Sequence, residues 1–276
     1  MRAEHAPRRR TAAVAIGVMA GIGVLGGFAA ATVQGSPATP ASAASAAPVV
    51  TVTAEPASEP ITAPSVADAT ATPVVEVSPA FDLAAHSIDD PSSEWVVVNK
   101  RRPVQPETWA PPQLDAVPGG YEMTPQAAAA LIEMREAATD AGAGFSVGTA
   151  YRSHGFQASL HADYVAQWGR ARADTFSARP GYSEHQTGLA ADIYQSAACR
   201  LKPCFGDEDA GAWVAEHAHE FGFIIRYLDG TEDVTGYRYE PWHVRYVGVE
   251  LATHMHDEGI QTLEELFGLE PAPTYE

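Results

Sequence analysis

The stretch Ser177-Ala178-Arg179-Pro180-Gly181-Tyr182-Ser183-Glu184-His185-Gln186-Thr187-Gly188-Leu189-Ala190-Ala191-Asp192 opens with turn residues and closes on a short strand that continues to Tyr194. It places a histidine and a carboxylate seven positions apart, with a glycine between them. Two other stretches share its unusual mix of residue types. One is Glu240-Pro241-Trp242-His243; the other is Tyr151-Arg152-Ser153, with Gln157 downstream.

These residue types suit one kind of chemistry. Two histidines and a carboxylate are a common zinc set that leaves a fourth tetrahedral position open, and His185, Asp192 and His243 supply it. Hydrolysis also needs a proton acceptor that is not itself a ligand, and Glu240 lies three residues before His243. Pro241 disfavours helix at Glu240, so this segment is extended or a turn. An arginine nearby would hold a substrate carboxylate or stabilise an oxyanion. Each piece alone is weak, since a lone histidine is more often structural and an aspartate beside a strand is usually a cap or turn residue. His217 and His219, like His254 and His256, are two residues apart on expected helices and point to different faces. His154 and His161 are read as surface residues.

Around these motifs, helices and strands alternate without clean βαβ spacing, which predicts an α+β fold with a central antiparallel sheet flanked by helices. Thr124-Pro125 reads as an N-cap followed by proline at the first helical position, opening an Ala-rich helix to about Gly142. Strands are expected at Phe145–Ala150, Ala190–Tyr194, Phe223–Arg226 and Trp242–Val247. Further helices are expected at Phe156–Trp168, Ala210–Phe221 and Val249–Gly259. Order is expected from near Trp95, leaving about 180 residues, enough for one good core.

The 276 residues carry a formal charge of −18, unevenly spread. Residues 1–10 are +3, residues 11–99 hold no Lys or Arg and are −8, and residues 100–276 are −13. An acidic chain of this kind is not a nucleic-acid binder. Residues 1–11 read as a basic cytoplasmic segment. The uncharged run 12–33 would span ~33 Å as a helix, against ~30 Å of hydrocarbon core. The arginines before it favour a cytoplasmic N-terminus, with the rest of the chain outside. The run is read as a single-pass membrane anchor, with a cleaved signal peptide and secretion as the alternative. Residues 34–93 read as a Pro/Ala/Thr-rich disordered linker, with 8 of the chain's 21 prolines between Gln34 and Ala80.

The motifs together resemble the VanY-type D-alanyl-D-alanine carboxypeptidases, zinc peptidases that trim bacterial cell-wall precursors. Matching text runs from Tyr151-Arg152-Ser153 through Ser177–Asp192 and Phe221-Gly222-Phe223-Ile224-Ile225-Arg226-Tyr227 to Thr235-Gly236-Tyr237-Arg238-Tyr239-Glu240-Pro241-Trp242-His243. Upstream, Val98-Asn99-Lys100-Arg101-Arg102-Pro103 resembles the strand with which that family's domain begins. The likeness covers about Trp95 to Leu269, which implies a zinc carboxypeptidase domain over residues 94–270 and a short tail, 271–276.

The resemblance implies the small D,D-peptidase fold shared with the hedgehog signalling domain. It also implies one Zn2+ bound by His185, Asp192 and His243. Glu240 would be the general base, taking a proton from the attacking water and passing it to the leaving amine. Arg152 would stabilise the oxyanion, and Gln157 and Ser183 would hold the terminal D-Ala of a peptidoglycan stem peptide. The catalytic domain is expected to be monomeric. The Cys199–Cys204 insert departs from the family pattern. Outside the membrane a disulfide is its natural reading, with two buried thiols as the alternative.

Rival chemistries are weaker. A serine peptidase needs Ser-x-x-Lys, but the residues three before Lys100 and Lys202 are Val97 and Cys199. His-Glu-x-x-His is absent, since His219-Glu220 runs into Phe221-Gly222-Phe223. L,D-carboxypeptidase and D,D-dipeptidase activities share the motifs and remain alternatives. A non-catalytic, metal-stabilised wall-binding module fits less well, because it has no use for Glu240.

Overall fold

A computed structural model describes residues 81–275. The basic segment, the membrane-anchor reading of 12–33 and most of the expected linker lie outside the described residues. The strands are β1 (Asp115–Val117), β2 (Tyr121–Met123), β3 (Ser146–Thr149), β4 (Ala190–Tyr194), β5 (Phe223–Tyr227) and β6 (Glu240–Tyr246). The helices are α1 (Pro125–Asp140), α2 (His154–Trp168), α3 (Arg170–Ala173), α4 (Asp209–His217), α5 (Glu232–Thr235), α6 (Val249–Glu258) and α7 (Leu263–Leu266).

The architecture is α+β. Strands β1 and β2 form a hairpin, and the other four make one antiparallel sheet in the order β3-β4-β6-β5. Side chains of paired residues share a face. Ala191 opposite Val244 therefore belongs to the face that joins the main core, with Ile193, Trp242, Leu131, Met134 and Phe205. Asp192 pairs with His243 on the other face. A smaller core gathers Trp95, Val97, Leu251, Met255 and Leu263 under α6 and α7.

Gly188 shows why the central stretch needs its glycine. It sits at φ +72°, and a Cβ there would lie 3.1–3.2 Å from Pro111, Leu114 and Thr124. Its carbonyl accepts from the Thr124 N–H, which ties the turn before β4 to the start of α1.

The helices and strands expected from local pattern are all present, with shifted ends. Thr124 precedes α1, but its side chain makes no capping bond and Pro125 alone starts the helix. Helix α2 begins at His154, two residues early, because Ser153 caps it by accepting from Phe156 N–H. The expected Ala210–Phe221 helix ends as α4 at His217 and tightens into a 3-10 turn.

Three expectations are corrected. Val98–Pro103 is not a strand but a turn, in which Asn99 Oδ1 accepts from the N–H groups of Arg101 and Arg102. Residues 81–93, expected as linker, fold onto the domain: Phe81 stacks on His254 at 4.2 Å and on Trp95 at 5.7 Å. Residues 271–275, expected as tail, also pack back, with Ala272 N–H bonding Val234 O and Tyr275 Oη accepting from Arg179 N–H.

Candidate active site

The turn and strands described above deliver three side chains to one point. A 3-10 helix, Glu184–Thr187, carries His185, and β4 and β6 carry Asp192 and His243. All three are buried, and one ligand atom from each lies within 4.8 Å of the others. The orientation of each imidazole follows from its second nitrogen. His185 Nδ1 is 2.7 Å from Ala150 O, which only accepts, so Nδ1 carries the proton and Nε2 is left as a lone-pair donor. That Nε2 is buried and makes no well-aligned hydrogen bond, with Asp192 Oδ2 3.4 Å away, and Asp192 Oδ1 likewise makes none. His243 turns the other way, with Nε2 3.2 Å from Glu184 Oε2 and Nδ1 3.2 Å from Asp192 Oδ1.

Two imidazoles and a carboxylate, converging with orphaned buried atoms, fit a Zn2+ ion. The Glu184–His243 contact is the carboxylate–histidine support that metal-ligating imidazoles normally have. Burial pushes His185 down to about 4, helped by Arg152 and opposed by Asp192. Burial opposes the charged form of His243 too, but Asp192 and Glu184 win and raise it to about 9.

Glu240 starts β6 and faces the same cavity of about 300 Å³, only 7% exposed. Burial, reinforced by Asp192 and opposed by His243, Arg238 and Arg152, pushes it up to about 8. Pro241 sits beside it in extended backbone, as the sequence required. Arg152 Nη1 lies 3.4 Å from Asp192 Oδ2 and lines the cavity. Ser183 lines it too. Gln157 is not brought into the cavity. It is fully buried behind the wall, where its Nε2 donates to Ala178 O at 2.7 Å and its Oε1 has no partner. Cys199 and Cys204 form a disulfide, and Leu201 between them lines the cavity edge at φ 55°. His161, read as a surface residue, is buried 3.4 Å from Asp174.

Sequence reasoning missed the layer beneath. Glu184 is fully buried and takes Arg226 Nε at 2.9 Å and Arg245 Nη1 at 2.8 Å on one oxygen. Arg226 also grips Glu264 through both terminal nitrogens, and Asn99 donates to the same carboxylate. Burial would raise Glu184, but Arg245, Arg226 and His243 hold it well below the usual carboxylate range. The one available signal was a carboxylate adjacent to a candidate ligand; the distant arginines gave none.

The family model described as "VanY: D-alanyl-D-alanine carboxypeptidase" matches residues 120–249. The chain is 43% identical to YodJ of Bacillus subtilis (strain 168) over 51% of this chain and 52% of that protein. It is 31% identical to a D-alanyl-D-alanine carboxypeptidase of Enterococcus faecalis over 68% of this chain and 71% of that protein. It thus spans about half of the first relative and over two thirds of the second. Among solved structures, the LdcB LD-carboxypeptidase superposes with TM-score 0.59 at 36% identity, covering 64% of this chain and 87% of that one. The vancomycin-resistance D,D-pentapeptidase VanY in complex with Zn(II) superposes with TM-score 0.55 at 30% identity, covering 62% and 97%.

Proposed function

Because the chain belongs to the VanY family of D-alanyl-D-alanine carboxypeptidases, we propose that it is a zinc-dependent D,D-carboxypeptidase that removes the terminal D-Ala from peptidoglycan stem peptides. The observation that carries this reading is the buried His185–Asp192–His243 set opening on a cavity that also holds Glu240. Zn2+ held by these three residues would supply a Lewis acid that polarises the scissile carbonyl and activates water.

The chain's own groups do the rest. Glu240 accepts a proton from the attacking water and delivers it to the leaving amine nitrogen. A carboxylate whose conjugate acid is pushed towards neutrality is a stronger base than an ordinary one. Arg152, held by Asp192, offers positive charge where the oxyanion develops. Ser183, on the cavity wall, would grip the terminal residue, and Gln157 would act through the Ser177–Ala178 wall that it holds.

A second reading, L,D-carboxypeptidase, is supported by the likeness to LdcB, and D,D-dipeptidase by a bifunctional relative. Both use the same metal set and base. A purely wall-binding role leaves the buried Glu240 unexplained.

Glu240→Gln tests the assignment of the base. Bound zinc stays at one per chain, and D-Ala release falls on the order of 10²–10⁴-fold. Turnover near that of the unaltered protein removes Glu240 from the role. The domain would act outside the cytoplasmic membrane, tethered by residues 12–33 or released by cleavage there, and the disulfide supports an oxidising compartment. Protease accessibility in intact protoplasts checks this; a protected domain refutes it.

A further inference from the structure

Most arginines among the described residues are committed. Arg102, Arg152, Arg179, Arg226 and Arg245 each lie within 3.4 Å of a carboxylate, and Arg135 and Arg200 donate to backbone carbonyls. Arg172 and Arg238 have neither kind of partner among the described residues, yet both line the active-site cavity. Residues 100–276 hold twice as many acids as bases, so two cations that line the cleft and make no ion pair need a reason, Glu240 being felt by Arg238 only at longer range.

Their setting gives one. Leu160, Tyr164 and Trp168 recur every four residues on α2 and form one wall of the cleft. The Arg172 guanidinium lies 4.4 Å over the Trp168 ring, and that of Arg238 lies 4.9 Å over Phe176, which packs edge-on to Tyr164 at 5.1 Å. Stacking restrains a guanidinium while leaving its edge N–H groups free to chelate a carboxylate. Trp168 is 45% exposed, so its end of this wall is open to solvent, unlike the buried metal set. Arg238 stands two residues before Glu240.

We propose that Arg172 and Arg238 form an anion subsite on the outer wall of the cleft, taking a carboxylate borne by the body of the substrate peptide upstream of the scissile bond. This rests on the peptidase reading, and it names what the substrate carries besides its D-Ala-D-Ala end.

The test uses the zinc-loaded full chain and two synthetic pentapeptides ending in D-Ala-D-Ala. In one, the residue before that dipeptide bears a side-chain carboxylate; in the other, the same carboxylate is capped as an amide. Calorimetric affinity and D-Ala release are measured for the unaltered protein and for the variant carrying Arg172→Gln and Arg238→Gln. The unaltered protein is expected to prefer the carboxylate peptide by about tenfold, through affinity and KM rather than kcat, with the preference falling at high salt. The variant is expected to lose the preference while binding the amide peptide with unchanged affinity, which also reports that it is folded. Equal affinity of the unaltered protein for both peptides overturns the subsite, as does a preference that survives in the variant. Selective binding with no release of D-Ala from either peptide would sustain the subsite and refute the D,D-carboxypeptidase reading.

Discussion

Glu184 carries more of this site than its neighbours suggest. It orients His243 with one oxygen and neutralises two buried guanidiniums with the other. Glu184→Gln keeps the shape but removes the charge, so zinc affinity is expected to fall about 10–100-fold, read by competition with a chromogenic chelator. Glu184→Ala leaves Arg226 and Arg245 facing no carboxylate at that point and is expected to cost about 3–5 kcal/mol in denaturant unfolding. An affinity unchanged in the glutamine variant would mean that His243 needs no support. The metal set and Glu240 were legible because each has a characteristic residue type within a dense motif. Gln157 was legible as a motif member but not as a buried one, since sequence does not show which side of a wall a residue occupies.

At the scale of elements, the segment before Trp95 is part of the fold. Phe81, His86 and Ile88 pack against Trp95 and its cluster, and Val97 N–H bonds Ile88 O. Arg245, which holds Glu184, also donates to the carbonyls of Glu94 and Val96, so this segment is fastened to the layer beneath the site. A chain starting at residue 95 is expected to be less stable than one starting at 81 by about 2 kcal/mol. That is a drop in Tm of roughly 4–8 °C by calorimetry. Equal melting temperatures would mean that the segment adds nothing. Sequence reading placed the boundary at Trp95 because residues 81–93 are short of apolar periodicity; their contacts are made one residue at a time to distant partners. The same limit explains Val98–Pro103, where a β-prone run bends because Asn99 supplies its own turn acceptor. The helices and main strands were legible because period and caps are local.

Across the whole domain, Lys100 joins parts far apart in sequence. It donates to the carbonyls of Gly236 and Pro273 and lies 4.6 Å from the Tyr237 ring centre. Burial lowers it from the ordinary 10.5 to about 8, against the pull of Asp174. A lysine whose folded pKa is depressed opposes folding fully below that value. The penalty fades as pH rises from about 8 towards 10.5. Stability is therefore expected to gain over that window, until the buried Tyr227 and Tyr237, whose pKa values are raised, cut it off above 10. Lys100→Met should flatten the gain in urea midpoints between pH 8 and 10, and an undiminished gain would show that Lys100 is not its source.

The central claim is tested most directly by mass spectrometry of muropeptides incubated with the zinc-loaded chain. Pentapeptides ending in D-Ala-D-Ala are expected to lose one alanine, tetrapeptides to stay intact, and Glu240→Gln to abolish the change. Loss of alanine from tetrapeptides while pentapeptides persist would contradict it.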